Sequence, residues 1–134
     1  MKKVGFVNGC FDLVHKGHLK LIEYCKSQCD YLIIAIDSDE MVKKIKGRDR
    51  PVNNQLDRKY FLEQIKGVDK VIIFNSHRFL KQKLKKINPD IMVVGTEYAD
   101  KYVVGAEFAK ELKFFDKVDD YSTTKIIQNL VNRG

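Results

Sequence analysis

Asn8-Gly9-Cys10-Phe11-Asp12-Leu13-Val14-His15-Lys16-Gly17-His18 is the stretch on which the reading of this chain turns. Ahead of it, Val4-Gly5-Phe6-Val7 is a short apolar run of the kind that makes a buried strand. Behind it, Leu19, Leu21, Ile22 and Cys25 recur at helical spacing. Two glycines and two histidines therefore sit at a strand-to-helix turn. In an open parallel sheet, ligands bind beyond the carboxyl end of the strand at such a turn. The helix that opens there offers unpaired N–H groups and the positive end of its dipole, which favour a phosphate. Gly17 lets backbone approach a ligand closely, and imidazoles add donors that can follow moving charge.

Working outward, strand one covers about Lys3 to Asn8 and the first helix about Gly17 to Gln28. Asp30 to Ile36 is nearly continuous apolar and β-branched sequence, the pattern of a central parallel strand covered on both faces. Ser38 or Asp39 caps a short helix carrying Met41, Val42 and Ile45. Lys46 to Asn54 reads as a basic, mobile loop with little to anchor it, suited to closing over a ligand. A third helix is expected from about Gln55 to Lys66, with Leu56, Tyr60, Phe61 and Ile65 on one face and Gly67 ending it. Val71 to Phe74 is a strand, and Ser76 caps a helix carrying Phe79, Leu80, Leu84 and Ile87, which Asn88-Pro89 stops. Ile91 to Gly95 is the fourth strand, Thr96 to Tyr102 a loop, and Val104 to Glu111 a short helix. Leu112 to Phe115, extending toward Val118, is the fifth strand, and Ser122 caps a last helix with Ile126, Ile127 and Leu130. Strands alternating with helices predict a Rossmann-like, doubly wound α/β fold: five parallel strands in the order 3-2-1-4-5 with helices on both faces.

The length of 134 residues suggests one domain, 1–134, and 44% hydrophobic residues suffice for a core. The formal charge of +7 suits polyanionic ligands and would equally suit nucleic acid. The lysines are scattered over several helices without an aromatic-interleaved stripe, so solvated helix faces account for most of them and no nucleic-acid partner is expected. Cys10, Cys25 and Cys29 are an odd number without framework spacing, which points to reduced thiols and a cytoplasmic protein. Cys25 and Cys29 lie one helical turn apart, but no matching pair elsewhere completes a zinc site. No signal-peptide pattern and no apolar run of bilayer length occur, so no membrane partner is expected.

Gly9, Phe11, Asp12, His15, Gly17 and His18 fall on the pattern G-x-F-D-x-x-H-x-G-H, and the chain thereby resembles the cytidylyltransferase-like family of small nucleotidyltransferases. The resemblance covers nearly the whole chain. Gly47-Arg48-Asp49-Arg50-Pro51-Val52-Asn53 is similar to the G-R-P-V-N loop of the heptose 1-phosphate adenylyltransferase type, in which an arginine follows in the next helix, here Arg58. Val68-Asp69, Pro89-Asp90, Gly95-Thr96-Glu97-Tyr98, Val104-Gly105 and Ser122-Thr123-Thr124-Lys125-Ile126 also match that type, with Thr96-Glu97 standing where it has Gly-Asp. Glycerol-3-phosphate cytidylyltransferases carry arginines shortly before the S-T-T and before the V-D. This chain has Val118-Asp119-Asp120-Tyr121 and Ile65-Lys66-Gly67 there, which favours the heptose type.

The resemblance implies transfer of a nucleotidyl group from a nucleoside triphosphate, ATP rather than CTP, to a phosphorylated sugar or polyol. Heptose 1-phosphate is the first expectation and glycerol 3-phosphate the alternative. A sugar phosphate oxygen attacks the α-phosphate and pyrophosphate leaves. The second pKa of a phosphate monoester is about 6, so the nucleophile is already ionised at pH 7 and needs no general base. The site must supply in-line positioning and fixed donors. His15, His18 and Lys46 are the catalytic candidates. Asn8, Gly9, Cys10, Phe11, Gly17, Lys43, Arg50, Gly95, Ser122, Thr123 and Thr124 are the nucleotide and phosphate candidates. Arg58, Glu97 and Tyr98 are candidates for the substrate, and so is Asp12, which reads more naturally as a turn residue than as a metal ligand. Mg²⁺ is expected on the triphosphate with few protein ligands, hence no metal-ligand cluster. A homodimer is expected by analogy. A non-catalytic polyanion-binding module is the competing class, but it leaves the paired histidines and the S-T-T helix start without a purpose.

Overall fold

The computed structural model describes residues 2–116 and 123–133. The strands are β1 (Val4–Gly9), β2 (Tyr31–Asp37), β3 (Lys70–Phe74), β4 (Ile91–Gly95) and β5 (Glu111–Phe115), and they form one parallel sheet in the expected order 3-2-1-4-5. Between them run α1 (Lys16–Ser27), α2 (Asp39–Lys46), α3 (Gln55–Glu63) and α4 (His77–Ile87), and α5 (Thr123–Arg133) follows β5. β1 is central. It pairs with β2 from Val4↔Tyr31 to Gly9↔Ile36, and with β4 from Gly5↔Ile91 to Val7↔Val93.

Side chains alternate across a strand, so a near-continuous apolar strand feeds two cores. Leu32, Ile34 and Ile36 join Val7, Val71, Ile91 and Val93 on one face, beneath Ile22 and Cys25 of α1 and Leu62 of α3. Phe6, Ile33, Ala35, Phe74 and Met92 face the other way, against Met41 of α2 and Leu80 and Leu84 of α4. Each such side chain contributes roughly 1.5–3 kcal/mol by leaving water. Burial pushes the Cys25 thiol up to about 12, so it behaves as an apolar core residue.

The two ends of the sheet are built differently. At the amino end three aspartates close the strands. Asp30 accepts from Lys3 N at 2.8 Å, Asp69 from Leu32 N at 2.8 Å, and Asp90 from Val4 N at 2.7 Å. Burial pulls the Asp69 carboxyl up, but Lys26 at 2.6 Å and the Leu32 N–H outweigh it and hold it below the usual range. At the carboxyl end, helix caps hold the connections. Ser38 Oγ accepts from Met41 N and Ser76 Oγ from Phe79 N, as expected, and Asn54 Oδ1 accepts from Asp57 N. Each cap stabilises its helix by about 1 kcal/mol.

Several expectations are corrected. α3 ends at Glu63, short of Lys66, and its outward face carries Leu56, Tyr60 and Phe61, which are 68%, 60% and 47% exposed; the inward face buries Arg58 and Leu62. The helix expected over Val104–Glu111 is only a 3₁₀ turn, Ala106–Phe108, and Thr96–Tyr98 forms another within the expected loop. Gly105 enters the first of these turns at φ 82°, where a Cβ would collide with Leu84 Cδ1. The expected extension of β5 to Val118 and the cap at Ser122 fall outside the described residues.

The loop between α2 and α3 is not the unanchored segment that its composition suggests. Asp12, 1% exposed, accepts from Val52 N at 2.8 Å, Asn53 N at 2.9 Å and Arg50 Nε at 3.0 Å, while Asn53 Nδ2 donates to Asp12 O. Arg58 lies beneath, with no exposed surface. It donates to Asn53 O at 3.0 Å, Cys10 O at 2.9 Å, Asp37 O at 2.7 Å and Asp39 Oδ1 at 2.8 Å. One guanidinium thus joins the ends of β1 and β2, the start of α2 and the loop before α3. Removing it orphans buried carbonyl oxygens, each costing about 1–3 kcal/mol. Arg58→Met should therefore destabilise the protein by about 3–5 kcal/mol, read from urea unfolding with an unchanged m-value. A loss below about 1 kcal/mol would show that the hub is dispensable.

Candidate functional site

A cavity of about 680 Å³ opens over the carboxyl ends of β1, β2 and β4. That is within the usual range for a small-ligand site. It is lined by Asn8, Gly9, Cys10, Phe11, His15, Gly17, His18, Lys46, Gly95 and Tyr98 from the sequence-derived candidates.

The floor is set by a strained turn. Phe11, 4% exposed, adopts φ 51°, a left-handed conformation uncommon for a bulky residue. Its ring packs 4.9 Å from that of His18. Gly9 makes room for it, since a Cβ there would come 3.1 Å from Phe11 Cε2.

The two histidines build the start of α1 themselves. His15 is the N-cap, and its Nδ1 accepts from Gly17 N at 3.1 Å. His18 Nδ1 reaches back to accept from His15 N at 3.2 Å, closing a reciprocal capping box. The rings stack with centroids 3.8 Å apart and 25° between planes. With both Nδ1 atoms accepting, a neutral imidazole carries its proton on Nε2. Both rings are thus fixed as Nε2–H donors at the positive end of a twelve-residue helix that has no acidic residue in its first turn. Such preorganised donors suit charge developing on phosphoryl oxygens. The setting of Cys10 disfavours its thiolate. Burial pushes its thiol up, and the Asp12 and Asp37 charges add to that, against Lys46 and Arg58.

Four candidates sit elsewhere. Arg50, its side chain 11% exposed, is paired with Asp12 and does not line the cavity. Asp12 and Arg58 are buried and hold the loop. Lys43 lines a separate depression with Glu40 and Gln55. Of the S-T-T start, Ser122 lies outside the described residues, and Thr123 and Thr124 are described only as backbone of α5; the Glu97 side chain is likewise not described.

An acid and an imidazole among the lining residues escaped the sequence reading. Asp37 ends β2, and His77 opens α4 directly after β3. The rule that ligands bind beyond strand carboxyl ends would have found both, applied to the second and third strands as well as the first. Burial raises the Asp37 carboxyl, against the lowering effect of Arg58, Lys46 and His77. Tyr102, Val103 and Val104 form a wall beside Leu80 of α4.

Residues 6–129 match the cytidylyltransferase-like family model, and the chain belongs to that family of nucleotidyltransferases. It is 43% identical over 129 residues to the bifunctional protein HldE of Nitratiruptor sp. and 46% identical to that of Sulfurimonas denitrificans, in each case over 96% of its own length. It spans only 28% and 27% of those relatives. The structure of a lipopolysaccharide core biosynthesis protein from Thermoplasma volcanium superposes with a TM-score of 0.72, over 89% of this chain and all of that one, at 20% identity, a likeness of fold.

His18→Ala should keep triphosphate binding within a few-fold by calorimetry and lose turnover by roughly 10²-fold or more, the scale of one lost transition-state donor. Near-normal turnover would remove His18 from the mechanism. Asp37→Asn addresses stability. Because the folded carboxyl titrates above its unfolded value, its ionised form costs stability at pH above the folded pKa, and that cost fades as pH falls through it. The variant should therefore melt above wild type at pH 7, with the gap closing toward pH 4. A pH-independent difference would contradict this.

Proposed function

We propose that this protein transfers an adenylyl group from ATP, taken as its Mg²⁺ complex, to a sugar 1-phosphate, heptose 1-phosphate foremost, with release of pyrophosphate. The observation that carries the reading is the His15–His18 capping box, which fixes two imidazole donors and a helix N-terminus at the wall of one cavity. That equipment suits an α-phosphate under attack by an already ionised phosphate oxygen, where no general base is needed. Lys46, at the end of α2, supplies a mobile cation at the same cavity. Mg²⁺ travels with the triphosphate, which provides most of its ligands.

Sugar preference and base preference rest on likeness. Arg50-Pro51-Val52-Asn53 and Gly95-Thr96-Glu97-Tyr98 resemble the heptose type, and the relatives at 43% and 46% identity are bifunctional HldE proteins. Tyr98, 45% exposed at the rim, is suited to pack on the base or the sugar.

Pyrophosphate release should be greatest in kcat/KM for ATP with heptose 1-phosphate among nucleoside triphosphates screened against heptose 1-phosphate, other sugar 1-phosphates and glycerol 3-phosphate. Contacts to a base edge discriminate by tenfold to a few hundredfold, on the order of 1–3 kcal/mol each. CTP with glycerol 3-phosphate outperforming every ATP pair would leave nucleotidyl transfer standing and overturn the heptose assignment.

A further inference from the structure

The side of the cavity nearest α4 holds an acid that phosphate binding does not require. Asp37 alternates onto the same sheet face as Ile33 and Ala35, the face that α2 and α4 cover, and it lines the cavity together with Lys46 and His77. A carboxylate is a liability in a site for two polyanions, because it repels both. Arg58, Lys46 and His77 offset part of that repulsion, and a ligand that presents a matching donor offsets the rest. A cation is a poor match, since Arg58, Lys46 and His77 act on this carboxyl as positive charges and would repel it too. A sugar hydroxyl is uncharged, donates to a carboxylate, and is not repelled.

The sheet order decides which substrate carries that hydroxyl. Gly95 ends β4, Phe115 ends β5, and Tyr98 follows β4; they make an aromatic flank suited to a nucleobase. β2 lies on the opposite side of β1 from β4, so Asp37 is two strand spacings from β4, roughly 10 Å. A nucleoside stacked on the β4–β5 flank leaves Asp37 to the acceptor.

We infer that Asp37 is a specificity-determining residue that accepts hydrogen bonds from hydroxyl groups of the acceptor, so that the site selects a polyhydroxylated phosphate ester over a deoxygenated one. The inference rests on the reading of the acceptor as a sugar phosphate. A site built around a substrate hydroxyl penalises the analogue that lacks it, because its own polar group is left unpaired.

Calorimetry with wild type, Asp37→Asn and Asp37→Ala tests this in the presence of a non-hydrolysable α,β-methylene ATP and Mg²⁺. The probes are heptose 1-phosphate and its monodeoxy analogues. Melting curves establish that the variants are folded. Wild type should prefer the full sugar by roughly 10²-fold or more over at least one analogue. That preference should shrink in Asp37→Asn and fall to about threefold or less in Asp37→Ala. The Mg²⁺ midpoint and the ratio of affinities for ATP and 2′-deoxy-ATP should not change. An intact sugar preference in Asp37→Ala overturns the inference. So does a shifted Mg²⁺ midpoint, which would make Asp37 a metal contact, or an altered ATP to 2′-deoxy-ATP ratio, which would assign it to the nucleoside. An Asp37-dependent preference without any pyrophosphate release from ATP refutes the proposed reaction and leaves the residue's role standing. If wild type binds no sugar phosphate, both fall.

Discussion

A single buried guanidinium holds the working end of this fold in register. Arg58 satisfies the carbonyls of Cys10, Asp37 and Asn53 and pairs with Asp39, so two strand ends, a helix start and a long loop share one charge. No backbone hydrogen bond could do this, because the carboxyl ends of parallel strands diverge into separate connections. A planar, five-donor cation has the reach and the geometry, and its charge is compensated locally. Asp12 is the complementary device. It is acceptor-only and inaccessible, and it gathers two backbone N–H groups and Arg50 from the far side of the same loop. The turn that carries the histidines is thereby tied to the chain some forty residues later.

This arrangement separates support from chemistry in a way that residue types do not announce. Arginines near phosphate sites invite the reading that they touch phosphate, yet here Arg50 pairs with the Asp12 carboxylate and Arg58 holds the carbonyls of Cys10, Asp37 and Asn53. Among the described residues, the ionisable groups that line the cavity are three imidazoles, the Cys10 thiol, two tyrosines, one lysine and one carboxylate. Their neighbourhood is less cationic than a charge of +7 suggests, since much of that charge lies on exposed helix faces.

Much of the fold was legible because its signals are local. β-branched runs between capping serines and turn residues fixed the strands, and their alternation with helices fixed the order. The facing of α3 was not legible. Leu56, Tyr60 and Phe61 look like a core stripe, but the α3 positions that turn inward are Leu62 and Arg58, the latter where the strand ends present carbonyls rather than apolar surface. The loop before α3 looked free for the same reason: its anchor, Asp12, is distant in sequence. The histidine turn was legible because its motif is contiguous. Asp37 and His77 were not, because each becomes part of the site only when separate strands are laid side by side.

The position of β1 also bears on how the chain acquires its structure. β1 precedes the other four strands of the sheet in sequence and is the central one in space. Its partner β2 is close at hand, but its other neighbour, β4, lies some 86 residues away, as the bond from Val4 N to Asp90 records. During synthesis at about 5–20 residues per second, one edge of β1 waits for roughly 4–17 s after it is made before β4 exists to cover it. For that interval Val4-Gly5-Phe6-Val7 is an apolar strand with an open row of backbone donors and acceptors. The nascent chain is then most exposed to mispairing at the very segment on which the finished sheet is centred.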